Sequence, residues 1–311
     1  MQLITGKTKL LGVIGDPIEH SLSPVMHNAA IAQLGVDYVY LPLPVQPADL
    51  GVAIAGFAAI GLQGFSVTIP HKQAIISLLS DVSSIAKVVG AVNTVWRTET
   101  GWSGTNTDVE GFIAPLQALN RDWSQTTPVI LGNGGAARAV VVGCSQLGCP
   151  EIHVVGRNVQ TLSQFQQTWV DAPLIGRGEE GERGRKIDID GLDITLNIHR
   201  WEELPELLPQ ADLVVNTTPV GMYPHVEQSP LNAAAMQVLR PGAIAYDLIY
   251  TPNPTQFLRQ AKEQGAIAID GLEMLVQQGA AALKIWLGQT PPVDIMRRSL
   301  REHLGLLTKK G

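Results

Sequence analysis

Runs of residues with strand-like and helix-like hydrophobic patterns alternate along most of this chain. In the first part, strand-like runs at 9–14, 38–43 and 64–68 alternate with helix-like runs at 25–34, 48–60 and about 73–79. Such alternation predicts βαβ units, in which helices cross between parallel strands of one sheet. The amino-terminal part is therefore predicted to be a mostly parallel α/β domain.

The alternation resumes after a polar stretch at 120–128, which we interpret as a domain boundary. Beyond it, strands are predicted at 129–131, 151–155, 193–198, 212–216, 243–248 and 266–269, and helices at about 135–147, 159–168, 201–208 and 254–264. This order predicts a Rossmann-like, doubly wound sheet. The sequence thus favours an α/β protein of two domains.

The carboxyl-terminal region carries two further helical patterns. One covers 272–287, and the other follows Thr290-Pro291-Pro292 and ends at about residue 304. We expect these helices to pack on the first domain, which makes that domain discontinuous. The predicted domains are 1–120 plus 275–311, for substrate, and 121–274, for a nucleotide.

The segment 176–191 is rich in glycine and mixed charge and has no apolar periodicity. It is predicted to be a solvated loop, and a functional role for it is disfavoured.

Composition excludes several classes of function. The net charge of −6 is spread along 311 residues, and no basic arm or RNA-binding motif is present. No apolar run approaches the roughly 18 residues of a membrane helix, and the run at 10–14 is too short for a signal sequence. We expect a cytoplasmic protein that binds neither nucleic acid nor membrane.

The cysteines and histidines do not form a metal-binding pattern. Cys144 and Cys149 are the only cysteines, and the seven histidines are scattered. Zinc sites need more ligands at closer spacing, so reduced, buried thiols and no metal are predicted.

A glycine-rich turn, 132–138, directly follows the strand-like run 129–131 and opens a helix. Glycines let the backbone approach a pyrophosphate, and the helix amino end offers unpaired N–H groups. A flexible turn is the alternative, but small residues continue into the helix at Ala136 and Ala137. The strand–turn–helix context favours a dinucleotide site.

The choice of cofactor depends on the end of the next strand. NAD enzymes carry a carboxylate there, whereas an arginine accommodates the 2′-phosphate of NADP. Here Gly156-Arg157-Asn158 contains the arginine and no acid. The sequence favours NADP, with a solvated loop arginine as the alternative reading of Arg157.

Lys72 and Asp108 are the candidate acid/base pair. Lys72 comes just after a strand-like run that Pro70 ends, and open α/β sheets place ligands at such strand ends. A lone lysine is usually a solvated surface residue. Asp108, in 104–108, supplies the acidic partner that a proton-transferring lysine needs.

Polar segments follow other predicted strands. Those at 216–222 and 247–252 are expected to face the cofactor crevice. Ser21 and Ser23 precede the first helix, where hydroxyls for a ligand and simple helix capping are equally good interpretations.

Together these segments resemble the shikimate dehydrogenase family. The resemblance rests on motifs that occur in the family's order along nearly the whole chain: 20–24, 67–72, 90–94, 104–108, 132–136, 216–222, 247–250 and 270–279. It implies an enzyme of the shikimate route to chorismate and the aromatic amino acids, which reduces 3-dehydroshikimate to shikimate reversibly with NADPH. It also implies two α/β domains, one for substrate and one for NADP.

The resemblance also implies roles for residues at matching positions. Lys72 and Asp108 would be catalytic, and the substrate would be bound by Ser21, Ser23, Thr68, Lys72, Asn93, Asp108, Tyr250 and Gln278. The cofactor would be bound by Gly132, Asn133, Gly134, Gly135, Ala136, Arg157, Leu248 and Gly271.

The chain departs from the family pattern at three of its motif positions. Ser66 stands where asparagine is usual, Asn133 where alanine is usual, and Gly156 where asparagine is usual. The shorter Ser66 is expected to lose a contact, and Gly156 weakens the NADP assignment that Arg157 supports.

The sequence leaves two alternative functions open. A quinate/shikimate dehydrogenase that uses NAD is the rival within the enzyme class. A non-catalytic NADP-binding regulator is the rival from another class, and the intact Lys72 and Asp108 argue against it. The family includes monomers and dimers, so the resemblance leaves a homodimer open.

Overall fold

The computed structural model describes residues 3–171, 175–176, 180–181, 184–189 and 192–307. The chain divides into two compact units, Met1–Gly111 with Leu275–Gly311, and Phe112–Met274. The chain passes from one unit to the other twice, each time within a helix. The first passage lies between residues 111 and 112, and the second between residues 274 and 275. The second unit therefore begins before the polar stretch at 120–128. Phe112 already belongs to it and stacks on Tyr246 of the same unit, with ring centroids 5.2 Å apart. The assignment of substrate and nucleotide to the units remains a prediction.

The first unit is built on a six-stranded sheet with the strand order β2-β1-β3-β5-β6-β4. Its strands are β1 (Lys9–Gly15), β2 (Tyr38–Pro44), β3 (Gly64–Val67), β4 (Asp81–Val82), β5 (Thr94–Thr98) and β6 (Gly101–Thr105). Its helices are α1 (Ser23–Leu34), α2 (Leu50–Ala59), α3 (Ser84–Val89), the start of α4 (Asp108–Gln117), most of α10 (Gly271–Leu287) and α11 (Val293–His303).

The sheet of the first unit is parallel on one side and mixed on the other. Strand β1 pairs parallel with β2 and β3, and β4 pairs parallel with β6. Strand β5 runs antiparallel to both β3 and β6, and the β5–β6 hairpin was not predicted from the sequence. The core of the first unit includes Ile14, Phe65, Ile75 and Val95, each fully buried.

The second unit contains a nine-stranded sheet. Its strands are β7 (Pro128–Leu131), β8 (Glu151–Gly156), β9 (Ile175–Gly176), β10 (Glu180–Gly181), β11 (Gly184–Ile189), β12 (Leu192–Arg200), β13 (Leu213–Asn216), β14 (Ile244–Asp247) and β15 (Ile267–Ile269). Its helices are α5 (Gly135–Gln146), α6 (Val159–Asp171), α7 (Leu204–Leu207), α8 (Ala233–Gln237) and α9 (Gln256–Glu263).

Six neighbouring strands of this sheet are parallel, in the order β12-β8-β7-β13-β14-β15. Counted along the chain, that order is 3-2-1-4-5-6, the order of the dinucleotide-binding fold. The strand order reverses between β7 and β13, so their carboxyl ends flank the crevice in which such sheets bind ligands.

The prediction of a loop over 176–191 is wrong for the part that the structure describes. Strand β11 pairs antiparallel with β12 from Arg185 to Ile189, and β9 and β10 pair with β11. A charged segment can form a strand without apolar alternation when pairing with neighbouring strands supplies its backbone hydrogen bonds, as β12 on one side and β9 and β10 on the other do here. Residues 177–179, 182–183 and 190–191 lie outside the described residues.

Within the described residues, no helix combines the length and the hydrophobicity needed to cross a membrane.

Candidate active site

Lys72 lies on the connection that follows β3 in the first unit. Its carbonyl oxygen accepts a hydrogen bond of 2.8 Å from the N–H of Val92, which fixes the backbone at this point. The Lys72 ammonium Nζ lies 2.6 Å from Oδ2 of Asp108. The Lys72 side chain keeps 30% of its surface exposed and that of Asp108 keeps 14%, so the pair is open to solvent on the lysine side.

Asp108 is the first residue of α4, and its neighbours fix its position. Its N–H donates to the side-chain oxygen of Asn106 at 3.0 Å, and the Asn106 amide in turn donates to the carbonyl of Ala91 at 2.9 Å. The amino end of a helix favours a negative charge. The carboxylate is thereby held beside Lys72.

Asn93 completes the cluster. Its amide nitrogen donates to Oδ1 of Asp108 at 2.8 Å, while Oδ2 of the same carboxylate contacts Lys72. Thr94 and Thr107 hold the Asn93 amide oxygen, at 3.0 Å from the Thr94 hydroxyl and 2.8 Å from the Thr107 N–H. Neither threonine was predicted as a site residue, because Thr94 begins a strand and Thr107 lies in the connection before α4, and a hydroxyl residue at either place carries no local signal of function.

Gln278 reaches the same cluster from α10. Its side-chain oxygen lies 3.4 Å from the Asn93 amide nitrogen, and its own amide donates to the carbonyl of Leu275 at 2.7 Å. The structure thus brings together Lys72, Asp108, Asn93 and Gln278, all within the first unit. Their roles in catalysis and binding remain predictions.

The other predicted substrate residues of this unit lie at the ends of neighbouring elements. Ser23 is the first residue of α1, and its N–H donates to the Ser21 hydroxyl at 3.4 Å. Thr68 follows β3, and its N–H donates to the carbonyl of Ile14 at 2.9 Å. Among the described residues, no hydrogen bond joins the side chains of Ser21, Ser23 and Thr68 to that of Lys72.

Tyr40, which was not predicted as a site residue, lies beside Ser66 and Ser23. Its hydroxyl donates to Ser66 at 2.9 Å, and its ring stacks on His27 with centroids 4.2 Å apart. Burial raises the pKa of Tyr40 well above its ordinary value, against weaker opposing contributions from Ser66 and Ser23. Ser66 therefore has a hydrogen-bond partner in Tyr40.

The glycine-rich turn of the second unit leaves room for a ligand. Gly132 has a φ of 108°, and a Cβ there would lie 2.6 Å from the Thr217 hydroxyl, so a side chain is excluded. Cβ atoms built on Gly134 or Gly135 would meet nothing within 4 Å. No side chain caps the start of α5, where Ala136 is the second residue. Its first N–H groups thus border open space, as a pyrophosphate site requires.

Asn133 occupies the space that a side chain at position 156 would need. A Cβ on Gly156 would lie 2.8 Å from the Asn133 side-chain oxygen and 2.7 Å from Cδ2 of Leu162. The Asn133 amide donates to the Thr161 hydroxyl at 3.0 Å. The two departures of this chain from the family pattern are therefore linked in space.

A buried carboxylate connects the loops after β13 and β14. Asp247 is fully buried and accepts hydrogen bonds from the Asn216 amide at 3.0 Å, the Ile249 N–H at 3.1 Å and the Thr255 hydroxyl at 2.7 Å. Burial raises the pKa of Asp247 to about 6, although these hydrogen bonds oppose the shift. The network positions the segment that carries Leu248 and Tyr250.

Gly271, the remaining predicted cofactor residue, begins α10. Its N–H donates to the carbonyl of Ile249 at 3.2 Å. Leu248 donates its own N–H to the carbonyl of Asn216 at 3.1 Å. Both residues therefore lie close to the carboxyl ends of β13 and β14, on the side of the sheet where the strands end.

No cluster of three or more histidine, cysteine or acidic side chains suited to a metal ion occurs in the part of the chain that the structure describes.

The strand order and the glycine turn define the second unit as a doubly wound, Rossmann-like α/β domain. Two family models match the chain, the shikimate dehydrogenase substrate binding domain at residues 13–95 and the shikimate 5′-dehydrogenase C-terminal domain at residues 271–301. A relative from Trichormus variabilis, named shikimate dehydrogenase (NADP(+)), is 63% identical over 307 residues, 98% of this chain and 100% of the relative.

Solved structures of shikimate dehydrogenases are also similar to this chain. A shikimate dehydrogenase in complex with NADP⁺ has a TM-score of 0.83 at 34% identity and covers 97% of this chain and 98% of its own. Shikimate 5-dehydrogenase from Listeria monocytogenes, in complex with shikimate and NAD, has a TM-score of 0.83 at 33% identity, with 96% and 99% covered. The chain belongs to the shikimate dehydrogenase family. The predicted family and the α/β fold class are confirmed.

Proposed function

We propose that this protein is an NADP-dependent oxidoreductase that interconverts shikimate and 3-dehydroshikimate. The observation that carries the proposal is the contact of 2.6 Å between Lys72 Nζ and Asp108 Oδ2, which places an ionisable nitrogen at the mouth of a polar cluster. Relatives named shikimate dehydrogenase (NADP(+)), 60–63% identical to this chain, support the same activity. It would serve the biosynthesis of chorismate and the aromatic amino acids.

The chemistry of the cluster suits reduction of a ketone. As hydride reaches the carbonyl carbon, negative charge develops on the oxygen, and Lys72 Nζ donates a proton to that oxygen. In the reverse direction the neutral amine accepts the hydroxyl proton as hydride leaves. Asp108 orients Nζ, and Asn93 fixes Asp108.

Substrate recognition needs a dense set of hydrogen-bonding groups. A site built to pair with each hydroxyl rejects analogues that leave its buried polar groups unpaired. We assign this task to the predicted set, Ser21, Ser23, Thr68, Lys72, Asn93, Asp108, Tyr250 and Gln278.

The second unit fits NADP. The open space at Gly134 and Gly135 and the uncapped start of α5 suit a pyrophosphate. Arg157, at the end of β8, suits a 2′-phosphate. Bound there, the nicotinamide would supply or accept the hydride. We assign the cofactor to Gly132, Asn133, Gly134, Gly135, Ala136, Arg157, Leu248 and Gly271.

We further propose a cytoplasmic enzyme without a nucleic-acid partner; the monomer and the homodimer are both compatible with the proposal. The relative from Listeria monocytogenes, described with shikimate and NAD, makes an NAD-linked activity the second candidate.

A matrix of steady-state rates separates the candidates. Shikimate and quinate are each assayed with NADP⁺ and with NAD⁺. We expect the highest kcat/KM for shikimate with NADP⁺. A faster reaction of quinate with NAD⁺ would overturn the proposal, and cofactor binding without any turnover would indicate a regulator.

A further inference from the structure

The guanidinium of Arg157 stacks on the indole of Trp201. Its central carbon lies 4.6 Å from the ring centroid, which is the geometry of a cation–π contact. Within the described residues, no hydrogen bond or ion pair engages this guanidinium. One face of the group is therefore occupied, and its N–H donors at the edge remain available to an anion.

The sheet places Trp201 beside Arg157 through the register of two strands. Arg200, the last residue of β12, pairs with Gly156, the last residue of β8. The residues that follow them, Trp201 and Arg157, therefore lie side by side. Their contact follows from parallel pairing and not from closeness in sequence.

Trp201 is held firmly in this position. The backbone N–H of Arg200 donates to Oε1 of Glu203 at 2.7 Å, and Oε2 of Glu203 lies 3.0 Å from the His199 ring nitrogen Nδ1. These contacts fix the short 3₁₀ turn that begins at Trp201. The indole also packs against the apolar core of the second unit. It is a rigid support for a side chain that is otherwise exposed.

We propose that Trp201 is a positioning residue that determines the preference for a 2′-phosphorylated cofactor, an inference that rests on the proposed use of NADP. A free arginine loses rotational freedom when it binds a phosphate, whereas a stacked guanidinium is already ordered. Gly156 adds no side chain at the strand end, so the stack on Trp201 supplies the order that a neighbouring side chain would otherwise give.

The test measures binding of NADP⁺ and NAD⁺ by calorimetry and needs no turnover, so it can succeed or fail independently of the shikimate reaction. Trp201→Leu removes the aromatic face and keeps apolar packing, and Trp201→Phe keeps an aromatic face. We expect Trp201→Leu to raise the Kd of NADP⁺ about two- to five-fold and to leave the Kd of NAD⁺ unchanged. Trp201→Phe should lie between it and the wild type.

Arg157→Ala provides the matched control. The single variant Arg157→Ala should raise the Kd of NADP⁺ by more than about ten-fold. Adding Trp201→Leu to Arg157→Ala should not raise this Kd further. Three results would each overturn the proposal: an unchanged Kd of NADP⁺ in Trp201→Leu, an equal loss for NADP⁺ and NAD⁺, or the same loss with and without Arg157. An equal loss for both cofactors would mean that Trp201 only supports the fold.

Discussion

Lys72 and Asp108 are separated by 36 positions in the sequence, and their charged atoms lie 2.6 Å apart. The other carboxylate oxygen of Asp108 accepts from Asn93 at 2.8 Å, so the acid is held at both oxygens. A lysine oriented in this way presents its remaining N–H groups in fixed directions. That is the requirement for proton transfer to a substrate oxygen without a metal.

Gly156→Ala should destabilise the protein because of Asn133. The new Cβ would lie 2.8 Å from the Asn133 side-chain oxygen and 2.7 Å from Cδ2 of Leu162, and overpacking of this kind costs about 1–3 kcal/mol. Asn133→Ala should relieve part of that cost. Urea unfolding of both single variants and the double variant measures the coupling, and strictly additive effects would show that the two positions are independent.

His27 should make the protein sensitive to mild acid. Burial lowers the pKa of His27 from 6.5 to about 3, and both ring nitrogens lack hydrogen-bond partners within the described structure. Because the folded pKa lies below the unfolded one, the contribution of His27 is fully present above pH 6.5 and is lost as the pH falls towards 3.

The predicted loss from His27 is about 2 kcal/mol between pH 7 and pH 5. His27→Phe keeps a ring against Tyr40 and cannot titrate. The free energy of unfolding of this variant should therefore fall less over the same interval, whatever its absolute stability. Parallel pH profiles for wild type and variant would contradict the assignment.

Asp247 should have the opposite pH dependence. Its folded pKa of about 6 lies above the ordinary 3.8, so its contribution is fully present below about pH 3.8 and is lost as the pH rises through 6. Between pH 4 and pH 7 the wild type should lose about 2 kcal/mol relative to Asp247→Asn. Unfolding of both proteins at a series of pH values measures this difference, and a constant difference would rule out titration of Asp247 in this range.

Most helices and strands could be predicted from the sequence because their hydrophobic periods are clear. The hairpin β5–β6 escaped prediction because its turn, Glu99-Thr100, lacks the Asn-Gly or Asp-Gly signal of a tight hairpin. Strand β11 escaped because pairing with β12, and not apolar alternation, makes it a strand.

The residues of the candidate site could likewise be predicted from the sequence only in part. Lys72 and Asp108 belong to short motifs that can be recognised locally, and the structure places them in contact. The supporting residues cannot be found in that way. Trp201 reaches Arg157 only through the register of β8 and β12, and Thr107 reaches Asn93 only through the fold of the first unit. Strand register over 40 or so residues depends on tertiary packing.

The proton-transfer role of Lys72 is tested by the turnover of Lys72→Ala. With saturating shikimate and NADP⁺, we expect kcat to fall by about 10²- to 10⁴-fold, because general acid–base catalysis contributes that much, while the KM for shikimate changes little. Lys87→Ala, at an exposed lysine of α3 in the same unit, is the matched control and should retain wild-type rates. A kcat of Lys72→Ala equal to that of the wild type would contradict the assignment of Lys72 as the proton donor and acceptor.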